Sequence, residues 1–233
     1  MKELLFLAAD LWLMATTWIC GFRALRFRNH LLCLEWFVVA VSSTNFLVWS
    51  LLGGDESSPM YHLAYILDAF SRSFGFTLLL VVGLLTVTHG YKPPLPVKLG
   101  VVALTAVTAV ILGPIHDDRL VHDTLHLSVA WFYVATNLLT TVFLAYFTMK
   151  VWKAGAHLVA VLTGLATAAG TYVAVTYDFF PFSFDDEYRT IFYTIALTVW
   201  GCQAITLFHA YRALHEHREA AVATSAPIAR VAS

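Results

Sequence analysis

Asp68 and Arg72 are opposite charges one helical turn apart inside a long apolar stretch, Tyr61 to Lys92. At i, i+4 they share one helix face and can pair. Ionisable groups in a membrane span are costly and usually face the bundle interior or an aqueous cavity. This pair could therefore line an outer vestibule and bind a charged solute. A second polar set lies deeper. At ~1.5 Å per residue, Asp10 is roughly 18–20 Å from the basic boundary at Arg23, and Asn137 stands at a similar depth above Lys150. Asn45, beside Ser42, Ser43 and Thr44, and Gln203 fall near the middles of their own apolar segments. Such groups could hold a solute or a proton. The plainer reading is hydrogen bonding between helices, worth about 0.6 kcal/mol per bond in membranes. Asp10, Asn45, Asp68, Arg72, Asn137 and Gln203 are the residues expected to line a substrate path.

Glu35 lies about one turn inside an apolar segment, close in depth to Arg23, Arg26 and His89. It is expected to form an interfacial salt bridge with one of them, the alternative being a gate or proton acceptor. A cluster of histidines and carboxylates, His116, Asp117, Asp118, His122, Asp123 and His126, falls between two apolar runs. His122 and His126 are four apart, so both imidazoles could reach one metal if a helix begins there, with His62 joining from a neighbour. Neither a His-Glu-x-x-His motif nor a nearby cysteine ligand supports this, so the plainer reading is ordinary interfacial histidines. Cys20, Cys33 and Cys202 sit within apolar segments without metal-ligand spacing and read as small packing residues. No cofactor is expected, and the chain has no nucleophile elbow, phosphate loop or dinucleotide fingerprint. No catalytic residue is assigned.

The elements that position these groups follow from composition. The 233-residue chain is 59% hydrophobic and only 12% charged, whereas soluble domains carry about a quarter charged residues. Seven apolar runs, at about 4–22, 31–53, 62–90, 97–114, 124–149, 156–178 and 190–213, are each long enough to read as a membrane helix. The fold class is an all-α integral membrane protein. The first run contains Asp10, lacks a small-x-small cleavage site and ends in a basic flank, as an uncleaved first helix does. Connecting loops alternate in charge, and ten of the fourteen Lys and Arg fall on one side. The positive-inside rule then puts the N-terminus outside and the C-terminus in the cytoplasm of a cell (inner) membrane. The expected partners are the lipid bilayer and a small solute or ion, with a second copy or a membrane partner left open. No basic patch lies on a soluble face, which excludes nucleic acid.

The chain also echoes itself. A shift of 127 residues lays Asp10 on Asn137, Arg23 on Lys150, Arg26 on Lys153 and His30 on His157. A shift of 120 lays His89, Tyr91 and Lys92 on His209, Tyr211 and Arg212. The organisation expected is one seven-helix domain, residues 1–218, followed by a disordered cytoplasmic tail, 219–233. The domain divides into repeat A (about 4–92), a linker helix (about 97–114) and repeat B (about 124–213). The linker run, Val101 to Leu112, carries only small and aliphatic residues with two threonines and reads as lipid-facing.

In topology and length this 3+1+3 plan resembles the seven-helix sugar-efflux and vitamin-uptake transporters, and more loosely the rhodopsins. The sugar-transporter pattern would place prolines inside helices, but Pro59, Pro93, Pro94, Pro96, Pro114 and Pro181 sit at loops or ends, and Ile191 to Tyr211 has no lysine for retinal. Intramembrane zinc hydrolases of the ceramidase type share the helix count but pair histidines four apart on the last helix, where this chain has His209, His215 and His217. No family is assigned on the sequence. The expected function is a transporter or channel for a small solute or ion, its polar path between the two three-helix halves. The alternative is a membrane-embedded sensor or accessory subunit, and the third reading is a metal-dependent hydrolase.

Overall fold

A segment surrounded by lipid must satisfy its backbone N–H and C=O groups internally, and a helix does this within one span. The computed structural model describes residues 2–115, 123–179, 184–186 and 189–225, and every regular element among them is helical. We number these α1 (Lys2–Leu25), α2 (His30–Leu51), α3 (Pro59–Thr88), α4 (Leu95–Leu112), α5 (Thr124–Lys153), α6 (His157–Thr176) and α7 (Thr190–Ser225). All seven are long and apolar enough to cross a membrane. The expected number and order of spans is therefore met, with one extension. Helix α7 does not stop near residue 213 but runs to Ser225, so residues 219–225 of the expected irregular tail are helical.

Side chains at the helix starts explain where several spans begin. Asn29 accepts the Leu32 N–H as the N-cap of α2, while its amide donates to the Gly83 carbonyl at 2.8 Å and the Thr86 hydroxyl at 3.2 Å, tying that cap to α3. Ser58 caps α3 and is followed by Pro59, whose missing N–H costs nothing in a first turn. Asp123 caps α5, and Asp185 accepts the Ile191 and Phe192 N–H groups at the start of α7.

Six helices close a ring in the order α1, α2, α3, α5, α6, α7, with α7 returning to pack against α1. Helix α4 stays outside, packed chiefly along α3, and only 11% of its apolar window is buried. Most of its small and aliphatic side chains are therefore left uncovered by the rest of the chain. At the end of the ring that carries Arg23, Lys150 and Lys153, here called the basic end, the interior is filled by apolar side chains. Leu32, Trp36, Leu80, Leu84, Phe147 and Leu207 belong to one continuous cluster.

Helix α3 is wound unusually. Its middle ten residues, Ser71–Leu80, are π-helical. Such winding is rare, most often a single turn, and frequent at functional sites. Here it covers the residues just beyond Asp68 and begins one position before Arg72. The glycine at position 75 falls inside it, at the contact with α2.

Candidate functional site

Arg72 is only 6% exposed, and its charge is heavily compensated. Its guanidinium meets Asp68 one turn away at 3.4 Å, the pairing read from the spacing, and also hydrogen-bonds the carboxylate of Asp178, which follows α6. Two aromatic rings sandwich it, Tyr133 from α5 at 4.2 Å and Tyr177 at 4.0 Å. A desolvated cation–π contact contributes about 2 kcal/mol, and buried charges persist only when paired and hydrogen-bonded. The sequence reading missed Asp178, Tyr133 and Tyr177. The adjacent Tyr177-Asp178 at the close of a Thr, Val and Ala-rich segment was the available signal.

Below Arg72 the π-helical stretch is bonded to α5 by side chains. The Arg72 carbonyl accepts from the Thr136 hydroxyl and the Asn137 amide, each at 3.4 Å. Thr77 donates to the Thr136 carbonyl at 3.1 Å, and Thr140 donates to Thr77 at 3.0 Å. These bonds tie the π-helical stretch to α5 through a backbone carbonyl on each helix, three threonines and Asn137.

A cavity of about 30 Å³ opens beside this network, room for about two waters at ~10–15 Å³ each. Arg72 and Phe76 line it from α3, Asn137, Thr140 and Thr141 from α5, Thr171 from α6, and Trp200 and Gln203 from α7. Across it the Thr141 and Thr171 hydroxyls bond at 2.7 Å. Gly170 makes room for Gln203, since a Cβ there would stand 2.6 Å from the Gln203 side-chain oxygen. Trp200 stacks on Tyr177, which links this wall to the arginine clamp. The cavity thus offers hydroxyl and amide groups that both donate and accept, with a cation at one end.

The six residues expected on one path therefore separate. Arg72, Asn137 and Gln203 line the cavity, and Asp68 reaches it through Arg72. Asp10 does not join them: it is buried between α1 and α2, where the Ser43 hydroxyl donates to its carboxylate and lies 3.1 Å from its carbonyl. Asn45 donates to the Met60 carbonyl at 2.8 Å and so fastens α2 to the start of α3. The threonines Thr136, Thr140, Thr141 and Thr171 went unread, although 136 and 140 share one face of a helix.

The salt bridge expected for Glu35 is absent. Its side chain is completely buried against α3, and neither carboxyl oxygen has a hydrogen-bond partner. Of the metal candidates, His122 lies outside the described residues, His62 is exposed, and His126 sits in the first turn of α5 above its cap Asp123. Among the described residues no three His, Cys, Asp or Glu are grouped to hold a metal. Compared with protein-family models, curated proteins and solved structures, the chain finds no match.

Proposed function

We propose that this protein is a transporter or channel for a small solute or ion, with its polar path through the cavity between α3, α5, α6 and α7. One observation carries this reading: polar side chains from four helices converge on a single space, while the basic end of the same ring is packed with apolar side chains. Asn137, Thr141, Thr171 and Gln203 would exchange hydrogen bonds with the passing species. Arg72, held by Asp68 and Asp178, would set the charge at the outer end. The loop charges support a cell-membrane orientation with the N-terminus outside and the basic end in the cytoplasm. The ring order supports duplication, since two copied three-helix units would place α3 against α5 and α7 against α1.

The test is thiol accessibility of Thr141→Cys, in a background with Cys20, Cys33 and Cys202 replaced. A membrane-impermeant thiol reagent is applied to each side of sealed vesicles, with Glu56→Cys as the exposed control. Labelling of position 141 from either side is the expected result. Silence from both sides, with the control labelled, overturns the path. A non-transporting sensor or accessory subunit is the second reading, favoured by α7 alone. At ~1.5 Å per residue its 36 residues span about 54 Å against a hydrocarbon core of ~30 Å. Its C-terminal half carries the exposed Arg212–Glu216 pair and the exposed Glu219, a surface that a soluble partner could dock.

A further inference from the structure

We propose that Glu35 is a proton-binding site, a carboxyl that takes up one proton from water and releases it again inside the bundle, with the Ser71 hydroxyl as its partner in both states. This inference stands apart from the transport reading and does not rest on it.

The argument begins with space. Glu35 of α2 is 0% exposed, and its carboxyl enters a notch in the π-helical stretch of α3. The notch exists because residue 75 is glycine: a Cβ there would lie 2.5 Å from Glu35 Oε2 and 2.8 Å from the Phe70 carbonyl oxygen. Two oxygens from different helices therefore crowd one point. The Ser71 hydroxyl lies beside the same carboxyl and is also buried. It is the side-chain group within hydrogen-bonding reach of the carboxyl, and neither has any other side-chain partner.

Chemistry then selects the ligand. A buried carboxylate without a counter-cation is strongly disfavoured, and the basic groups close in depth turn elsewhere: Arg23 and Arg26 are exposed, Arg23 lying over the Phe208 ring, and His89 bonds Tyr146. On α1, Asp10 is engaged with Ser43 and Cys20 packs in the apolar cluster. On α3, Asp68 and Arg72 face Asp178, Tyr133 and Tyr177. On α2 itself Cys33 is buried in the apolar cluster, and among the described residues no ion pair includes Glu35. One proton resolves the site. The neutral carboxyl can donate to the Phe70 carbonyl or to the Ser71 oxygen, and the deprotonated form can accept from the Ser71 hydroxyl. A hydroxyl serves either state because it rotates between donor and acceptor. Exchange with water is short-range at the basic end, because Glu35 is five residues past the start of α2 at His30, about 7.5 Å along the axis.

The test is an infrared pH titration of the purified full-length protein in lipid, comparing wild type with Glu35→Gln, whose amide keeps the shape of the neutral acid. The expected difference spectrum shows a carboxylic-acid C=O band that converts to carboxylate absorption as pH rises, in a single one-proton transition absent from the variant. Ser71→Ala should shift the frequency of that band. A difference spectrum showing only carboxylate at every pH, or an acid band that never converts, overturns the proposal. Should Glu35→Gln fail to fold, wild type grown with ¹³C-labelled glutamate gives the same readout. Among the described residues Glu35 is the only buried glutamate, so a titrating acid band that does not move with the label would equally overturn it.

Discussion

Arg72 belongs to the π-helical stretch of α3 and Glu35 packs against it, and their surroundings are opposites. Arg72 has two carboxylates and two aromatic faces around one charge. Glu35 has none of these, only the Ser71 hydroxyl and a glycine notch. Both are ionisable, both are nearly or wholly buried, and both sit on apolar helices. What differs is whether the chain supplies a fixed counter-charge. With one, the group becomes a clamp between α3, α5 and the end of α6. Without one, the group is left to a mobile ion, and the proton is the smallest.

The largest effect should come from removing the clamp. Arg72→Leu strands Asp68 and Asp178 in partly buried positions, and breaking a buried pair from one side costs about 3–5 kcal/mol. Thermal unfolding in detergent micelles would measure it. A cost under about 1 kcal/mol would mean that the two carboxylates reach water freely, and the contrast with Glu35 would collapse. Next comes Gly75→Ala, which drives a methyl group into the Glu35 carboxyl and should cost about 1–3 kcal/mol by overpacking. Combining it with Glu35→Ala should recover part of that loss. Strict additivity of the two changes would show that they do not share the notch. The smallest effect is expected at Arg218, a cation satisfied at the surface rather than in the core. Its guanidinium donates to the Thr86 and Val87 carbonyls at 3.0 and 3.1 Å, at the C-terminal end of α3. Arg218→Gln should lower stability by about 0.3–1 kcal/mol, and less at high salt. A loss as large as that of Arg72→Leu would make the clasp, rather than the buried clamp, the main tie on α3.

Helix count, span order and the peripheral place of α4 were legible because they depend on apolar length, which lipid enforces residue by residue. The Asp68–Arg72 pair was legible because i, i+4 spacing is a property of one helix. What could not be read is anything set by which helices adjoin. Asp10 and Asn137 hold equivalent places in the sequence echo, yet one is bonded to Ser43 on α2 and the other lines a cavity with Gln203 of α7. Glu35 was assigned a basic partner from depth alone, and depth carries no information about rotation around the helix axis. The π winding of 71–80 shifts that rotation further, since side chains beyond it no longer follow 3.6-residue spacing. Nor could spacing reveal Asp178, a partner of Arg72 that lies 106 positions away in the chain.

The Arg218 clasp has a mechanical consequence. Position 218 is 28 residues beyond Thr190, about 42 Å down α7 at ~1.5 Å per residue, so a 10° tilt pivoting at the far end would carry it about 7 Å. That is more than twice the length of the bonds it makes to α3. A lever pinned there cannot swing alone: α3 must travel with it, or the pin must release. The bond therefore latches α3 and α7 together at the basic end, and any swing of one from the other would have to begin by parting at the opposite end.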